Sequence, residues 1–287
     1  MMEKTWNILY RASLLSCNYA CVYCPFAKTK NTSDELLKDA QQLKDFKQWV
    51  KVQNKRIGML FTPWGEALIH KYYQDGLIEL SHMPNVYRIA IQTNLSCNLD
   101  WMNGVNKDSF ALWTTFHPSQ TSLDQFVAKC ERLQEMNIRF SVGTVGIKED
   151  IEVIGELRSR LSQSIYLWVN AYKREDNYYT ESEISSIQAI DPYFHWNNQW
   201  HPSLDKPCRA GHTSFAVDGD GNMTSCHFIK EKIGNIYQEN FEQALKPRTC
   251  VNDTCKCHIG YVHLDELKQD LIYGDGILER IPLEFST

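Results

Sequence analysis

Short apolar runs alternate with amphipathic stretches over roughly the first 190 residues of the chain. Six of these runs are rich in Ile, Val, Phe or Tyr at consecutive positions, as expected of strands that are buried on both faces. They are Trp6–Arg11, Arg56–Thr62, Val86–Thr93, Phe110–Phe116, Ile138–Val145 and Ile165–Ala171. Alternation of such strands with helices predicts parallel strands joined by crossover helices.

The stretches between the strands have the pattern of amphipathic helices. Thr32-Ser-Asp-Glu35 has the spacing of a capping box, and a single apolar stripe follows it at helical intervals. A second capping box runs from Thr180 to Glu183, and another helix is predicted over about Leu123–Met136. Cys130 belongs to the apolar face of that helix, which indicates a buried core thiol.

Six β-α units predict an α/β fold, an open (βα)6 relative of the eight-unit TIM barrel, whose active face is formed by the loops after the strands. Near residue 200 the alternation stops and the chain becomes rich in Cys, Gly and Asp. Thr213–Phe228 is predicted to be a hairpin that turns through Asp218–Asn222. We therefore expect two domains: a partial barrel over residues 1–195, and a small Cys-rich α+β domain, organised by metal, over residues 196–287.

Composition narrows the function. The chain has 287 residues, 43% of them hydrophobic, and a net charge of −5 without a basic stripe, so nothing supports a nucleic-acid partner. No apolar run reaches the length of about 18 residues that crosses a bilayer, and Met1–Arg11 lacks the features of a secretory signal. We expect a cytoplasmic protein with no membrane partner.

The chain has ten cysteines. Because a reducing cytosol disfavours structural disulfides, clustered cysteines there indicate metal ligands or catalytic groups. Three of them fall within eight residues near the amino terminus, five fall within fifty residues near the carboxyl terminus, and two stand alone. This distribution predicts two metal sites.

The N-terminal group, Cys17-Asn-Tyr-Ala-Cys21-Val-Tyr-Cys24, follows the first predicted strand directly. Its three thiols therefore lie on one loop at the carboxyl edge of the sheet. A fully protein-ligated four-iron, four-sulfur cluster uses four cysteines, so three would leave one iron open. Zinc is the alternative, although a closed tetrahedral zinc site needs a fourth protein ligand.

The spacing C-x3-C-x2-C, with the aromatic Tyr23 before the third cysteine, resembles the signature of the radical S-adenosylmethionine (SAM) superfamily. The resemblance implies that Cys17, Cys21 and Cys24 hold a 4Fe-4S cluster whose open iron is chelated by the methionine part of SAM. It also implies that one electron from the cluster cleaves SAM. The resulting 5′-deoxyadenosyl radical takes a hydrogen atom from the substrate.

Motifs at later strand ends extend the resemblance over about 190 residues. Pro63-Trp64-Gly65-Glu66 resembles the Gly-Gly-Glu motif that binds the amine of SAM, with Trp64 in place of the first glycine. Gln92-Thr93-Asn94 and Gly143-Thr-Val-Gly146 resemble two further superfamily motifs in part. For a bare Gly-x-x-Gly an ordinary turn is the alternative, and for His117 a hydrogen-bonded loop histidine. The implied SAM contacts are Tyr23, Gly65, Glu66, Thr93, Asn94, His117, Gly143, Gly146 and Asn170.

The C-terminal cysteines resemble a second pattern. The opening of the SPASM and twitch auxiliary-cluster domains is matched by Cys208, Gly221 and Cys226. Twelve residues separate Cys208 from Gly221, and four separate Gly221 from Cys226. Cys250-x4-Cys255-Lys-Cys257 departs from the usual ending. The resemblance implies one auxiliary 4Fe-4S cluster, which needs four of these five thiols, so one of the last three is inert, an alternate ligand or a hydrogen-atom donor. Structural zinc, with His258 as a ligand, is the alternative.

Over its full length the chain also resembles a bacterial family of cassette-encoded radical SAM proteins without an assigned substrate. Segments such as Phe-Thr-Pro-Trp-Gly-Glu and Cys-His-Ile-Gly-Tyr-Val-His carry this resemblance. The expected enzyme oxidises, cross-links or epimerises a peptide or protein side chain, with an external one-electron reductant of the flavodoxin or ferredoxin type. Only sixteen residues precede Cys17, too few for a leader-peptide-binding module, so a dehydrogenase or epimerase of a sugar-like or aminocyclitol-like molecule is the first alternative. A non-catalytic zinc-stabilised binding protein is the second.

Overall fold

The computed structural model describes residues 5–285, so the first four residues of the predicted first domain and the last two of the second lie outside the described residues. All six predicted strands are confirmed. They are β1 (Thr5–Arg11), β2 (Arg56–Phe61), β3 (Val86–Thr93), β4 (Phe110–Thr115), β5 (Arg139–Gly146) and β6 (Leu167–Ala171). Strand β3 has the predicted bounds, and the other five differ from the prediction by one or two residues at one or both ends.

The helices lie between and after these strands, and both predicted capping boxes form. The α-helices are α1 (Ser33–Lys51), α2 (Lys71–Ser81), α3 (Leu123–Glu135), α4 (Ile151–Arg160), α5 (Glu181–Gln188), α6 (Phe194–Asn197), α7 (His258–Tyr261) and α8 (Asp270–Tyr273). Single turns of 3-10 helix occupy Ala67–Ile69, Asp100–Gly104, Lys148–Asp150, Phe241–Ala244, Asp265–Leu267, Gly274–Gly276 and Leu283–Phe285.

Seven further strands, of two to five residues each, follow in the last third of the described residues. They are β7 (His201–Pro202), β8 (Pro207–Cys208), β9 (Ser214–Asp218), β10 (Asn222–Thr224), β11 (Lys232–Asn235), β12 (Arg248–Thr249) and β13 (Thr254–Cys255). The predicted hairpin is present as the antiparallel pair of β9 and β10.

One mostly parallel sheet organises the α/β fold. Strands β1 to β6 lie side by side in sequence order, and each neighbouring pair is parallel. This order agrees with the expected partial barrel. Strand β9 pairs in parallel with the free edge of β1, and β10 and β11 extend the sheet beyond it. The hairpin of the predicted second domain thus continues the main sheet, and the division after residue 195 stays a prediction.

Different parts of the chain cover the two faces of the sheet. Helices α1, α2 and α3 pack their apolar stripes on one face, where the Cys130 thiol is fully buried, as predicted. The other face, which includes Trp113 and Trp168, is covered by the C-terminal segment through residues such as Ile277 and Leu278. The carboxyl ends of the strands therefore open into a space bounded partly by the C-terminal segment. Among the described residues, no helix combines the length and apolarity needed to cross a membrane.

Candidate active site

The loop of residues 12–31 follows β1 and carries the three N-terminal cysteines. Asn31 closes the base of this loop. Its side-chain oxygen accepts hydrogen bonds from the backbone N–H of Leu15 at 2.7 Å and of Ser16 at 2.8 Å. The Ser16 hydroxyl in turn accepts from the N–H of Asn31 at 2.6 Å. These contacts fix the chain immediately before the first cysteine.

The three thiols line one cavity of about 280 Å³ at the carboxyl ends of the strands. Cys17 Sγ accepts hydrogen bonds from the N–H of Tyr19 at 3.4 Å and from the side-chain amide of Asn94 at 3.7 Å. Burial raises the pKa of the Cys17 and Cys21 thiols. Donors directed at sulfur favour its thiolate, the form that binds iron.

Glu66 is the buried carboxylate of this cavity, with 2% of its surface exposed. One carboxylate oxygen accepts a hydrogen bond from the Thr93 hydroxyl at 2.8 Å, and the other accepts from the N–H of Asn94 at 2.6 Å. Burial raises the pKa of Glu66, and these hydrogen bonds oppose the rise. The carboxylate therefore ties the loop after β2 to the end of β3 while it lines the cavity.

Gly65 brings the end of β2 into backbone contact with the cysteine loop. A Cβ at this position would lie 1.7 Å from the carbonyl oxygen of Ser16. The preceding Trp64, which replaces the glycine of the similar motif, packs between two side chains. The Arg11 guanidinium lies 3.8 Å from the Trp64 ring centre, and the Phe26 ring centre lies 4.3 Å from it. Trp64 therefore has contacts that glycine could not make.

Tyr23 and His117 join the cysteine loop to the end of β4. The Tyr23 hydroxyl and His117 Nδ1 are 2.6 Å apart. Burial lowers the pKa of His117 to about 4, so the ring is neutral at pH 7. His117 lines the cavity, whereas Tyr23 is not in its lining within the described part of the chain.

The glycines of β5 make room for neighbouring side chains. A Cβ on Gly143 would lie 2.1 Å from the Trp168 indole, and one on Gly146 would lie 2.7 Å from the Tyr179 hydroxyl, which donates to the Gly146 carbonyl. Neither glycine lines the cavity, although Asn170 of β6 does. Direct contacts of Gly143 and Gly146 with SAM stay predictions.

The structure thus brings most of the predicted N-terminal site residues together. Those that line the cavity are Cys17, Cys21, Cys24, Gly65, Glu66, Thr93, Asn94, His117 and Asn170. Trp113, Trp168 and Arg280 also line it, and they are not among the predicted SAM contacts. The two tryptophans occupy positions of β4 and β6 on one face of the sheet, which strand alternation could have indicated. Arg280 arrives from the C-terminal segment, so no local pattern could place it.

A second cavity, of about 470 Å³, gathers the C-terminal cysteines. Two short antiparallel pairs position its walls: β8 with β12, and β13 with β7. Gly260 leaves space for a thiol, because a Cβ there would lie 2.7 Å from Cys255 Sγ. Burial raises the pKa of Cys226 and of Cys255 to about 12. The cysteines that line this cavity are Cys208, Cys226, Cys250, Cys255 and Cys257.

Cys257 lines both cavities and so lies between the two groups of thiols. The segment before it is held by Lys173, whose ammonium donates to the carbonyl of Lys256 and, at 2.6 Å, to that of Asn197. Burial lowers the pKa of Lys173 to about 8. A cation beside Cys255 and Cys257 suits a site that gathers negative thiolates.

The donor chemistry of both groups fits iron–sulfur clusters. All ten cysteines are free of disulfides. Within residues 5–285, no three His, Cys, Asp or Glu side chains converge on a point where they could hold a single metal ion. A four-iron cluster does not require its ligands to converge on a single point, because each cysteine binds its own iron.

Comparison with known proteins relates this fold to solved structures. No protein-family model matches the chain, and no curated protein matches it. The structure of native anSMEcpe with bound AdoMet and Kp18Cys peptide is similar, with a TM-score of 0.55 and 13% identity over 85% of this chain and 81% of that one. Native anSMEcpe with bound AdoMet has a TM-score of 0.52 and 14% identity, over 83% and 82%.

A third structure, BtrN in complex with AdoMet and 2-DOIA, has a TM-score of 0.40 and 16% identity, over 85% of this chain and 89% of that one. The anSMEcpe structures are those of a radical SAM enzyme. At this identity the likeness to them shows a shared fold.

Proposed function

We propose that this protein is a radical SAM enzyme whose reducing cluster is held by Cys17, Cys21 and Cys24. The observation that carries the proposal is the convergence of these three thiols and the buried Glu66 carboxylate on one cavity. The fold shared with radical SAM enzymes supports it. When bound, the cluster and SAM supply a 5′-deoxyadenosyl radical that takes a hydrogen atom from the substrate.

Glu66 would accept hydrogen bonds from the amine of SAM. Because Thr93 and Asn94 already orient its two oxygens, little side-chain freedom remains to be lost on binding. A cationic amine beside the buried carboxylate would favour its charged form. His117 and Asn170, which line the same cavity, are proposed contacts of SAM or the substrate. The indoles of Trp113 and Trp168 would help to exclude water from the reacting atoms.

The proposed second cofactor is one auxiliary 4Fe-4S cluster within residues 196–287, as in SPASM or twitch domains. We assign its ligands to the four cysteines that line only the C-terminal cavity. They are Cys208, Cys226, Cys250 and Cys255. Cys257 is the remaining thiol, because it alone of the five also lines the N-terminal cavity.

This assignment predicts different iron contents for two neighbouring variants. Cys255→Ser should lower the iron of the reconstituted protein from about eight to about four atoms per chain, because the auxiliary cluster loses a ligand. Cys257→Ser should keep about eight. Iron determination and the visible absorption spectrum measure both. Equal loss in the two variants, or loss only in Cys257→Ser, would show that the ligand assignment is wrong.

For the substrate we propose a peptide or protein side chain that is oxidised, cross-linked or epimerised. One structure with a similar fold, anSMEcpe, was solved with a bound peptide. A flavodoxin- or ferredoxin-type protein in the cytoplasm would supply electrons.

The alternative substrate is a small molecule such as a sugar or aminocyclitol, which the modest volume of the N-terminal cavity, about 280 Å³, favours. Deuterium incorporated from solvent would indicate epimerisation, whereas a mass loss of two hydrogens would indicate oxidation or cross-linking.

Anaerobic purification and reconstitution test the proposed function directly. We expect a brown protein with about eight irons per chain that releases 5′-deoxyadenosine when it is reduced in the presence of SAM. The second alternative, a zinc-stabilised binding protein, predicts a colourless protein with bound zinc. A colourless protein that is inert toward SAM after reconstitution would exclude the radical SAM proposal.

A further inference from the structure

Arg280 is a buried cation in the wall of the cavity that the N-terminal cysteines line. Only 1% of its surface is exposed, and its backbone φ of 55° lies in the left-handed region. Its guanidinium carbon lies 4.5 Å from the ring centre of Trp168 and 5.6 Å from that of Trp113. The C-terminal segment and two aromatic rings thus hold a permanent positive charge at this wall.

No ion pair neutralises Arg280 within the part of the chain that the structure describes. The adjacent carboxylate, Glu279, pairs with Arg88 at 3.2 Å and with Arg139 at 2.8 Å. Asp191, another buried carboxylate, attracts Arg280 electrostatically without forming an ion pair with it, and its oxygens accept hydrogen bonds from one hydroxyl and two backbone N–H groups. Arg280 Nε is buried without a hydrogen-bond partner. Because a buried donor without an acceptor is costly, the free Nε–H of Arg280 favours an anionic group in the cavity as its acceptor.

His258 adds a second polar side chain to the same wall, and a chain of hydrogen bonds suits its Nε2–H tautomer. Asn197 Oδ1 accepts from the N–H of Ala171 at 2.6 Å, so the Asn197 amide nitrogen donates to the Tyr261 hydroxyl at 3.4 Å. The Tyr261 hydroxyl can then donate its proton to His258 Nδ1, 3.3 Å away, while its oxygen accepts from Asn197. In that arrangement the proton of a neutral imidazole lies on Nε2.

His258 Nε2 is buried and has no hydrogen-bond partner. The residue lines the cavity with 2% of its surface exposed. Its ring and that of Trp113 are in edge contact, with centres 5.5 Å apart, and the Arg280 guanidinium lies over the same indole. Two buried nitrogen atoms without hydrogen-bond partners, His258 Nε2 and Arg280 Nε, thus belong to residues that border one indole.

We propose that Arg280 and His258 form an anion-binding subsite that holds a carboxylate or phosphate group of the substrate. The inference rests on the proposed function in that the substrate occupies this cavity. The planar guanidinium suits either anion, since both accept paired hydrogen bonds from it. The substrate is then an acidic molecule whose anionic group binds Arg280 and His258, with its reacting carbon held in the same cavity as SAM.

Anaerobic isothermal titration calorimetry of the reconstituted protein tests the subsite. The probes are sodium phosphate and sodium acetate in separate titrations, and SAM in a third. We expect the wild type to bind one phosphate or acetate per chain, with the tighter probe identifying the anionic group. Arg280→Gln should raise the Kd about 10- to 100-fold, and His258→Phe about 2- to 10-fold. Arg280→Lys, which keeps the charge, should fall between the wild type and Arg280→Gln.

Arg158→Gln is the matched control. Arg158 is a partly buried arginine that donates to backbone carbonyls, among them those of Ile165 and Leu161, and it does not line the cavity. Anion affinity in this variant should equal that of the wild type. If circular dichroism shows that Arg280→Gln is unfolded, Arg280→Lys and His258→Phe carry the comparison.

Three results would overturn the subsite: no anion binding by the wild type, equal anion affinity in the wild type and the Arg280 variants, or a loss of SAM affinity in Arg280→Gln as large as the loss of anion affinity. The last result would assign Arg280 to the carboxylate of SAM. Failure of the proposed function has a separate readout, which is the absence of 5′-deoxyadenosine production by the wild type. That result can occur even if the wild type binds the anion and the Arg280 variants bind it more weakly.

Discussion

Cys17→Ala will abolish the reductive cleavage of SAM and lower the iron content from about eight to about four atoms per chain. Cys17 is the first of three thiols on one cavity, and its sulfur is already positioned by donors from Tyr19 and Asn94. Two remaining thiols would leave two irons of the cluster without protein ligands. Anaerobic reconstitution, iron determination and chromatographic detection of 5′-deoxyadenosine measure the effect, with product expected at the no-enzyme background.

Cys130→Ala is the matched control for the loss of a thiol. Cys130 is fully buried in the core between α3 and the sheet and lines neither cavity. Its replacement should cost about 1 kcal/mol of unfolding free energy through a small cavity, with iron and product unchanged. Full iron and normal product in Cys17→Ala would mean that the reducing cluster is not held by this loop.

The strands and the cysteine loop could be predicted because their signals are local. Most of the six strands are rich in apolar residues on both faces, and both capping boxes depend on residues three positions apart. The motifs at the ends of β2 and β3 could be placed together for the same reason, since parallel strands present their carboxyl ends at one edge. Glu66, Thr93 and Asn94 meet there by hydrogen bonds between the two strand ends.

Contacts between distant parts of the chain were not predictable in this way. The pairing of β9 with β1 joins residues about 200 positions apart, and nothing in either strand specifies the partner. Arg280 reaches the cavity because the C-terminal segment covers one face of the sheet. Trp64 looked like a departure from a glycine motif, and only its packing between Arg11 and Phe26 explains it.

Gly65→Ala is expected to disrupt the site although it adds a single methyl group. The new Cβ would lie 1.7 Å from the carbonyl oxygen and 2.3 Å from the carbonyl carbon of Ser16, and backbone atoms cannot rotate away as a side chain can. The same carbonyl accepts the N–H of Glu66 at 3.0 Å, so the separation would also break that hydrogen bond. We expect a loss of about 3 kcal/mol or more in unfolding free energy, at the upper end of overpacking costs.

The consequence for function follows from the position of Ser16, which directly precedes Cys17 and is held by Asn31. Any shift that relieves the clash must move either the cysteine loop or Glu66, so iron content and SAM cleavage should fall together in Gly65→Ala.

Gly155→Ala separates this effect from a general response to replacing glycine. No heavy atom lies within 4 Å of a Cβ at Gly155, which is inside α4, so alanine should stabilise the protein by about 0.5–1 kcal/mol and leave iron and product unchanged. Denaturant unfolding of the two variants, with iron and 5′-deoxyadenosine measured in parallel, compares them. A Gly65→Ala protein with wild-type stability and full iron would show that the loop after β2 does not contact the cysteine loop. The three thiols and Glu66 would then not line a common cavity.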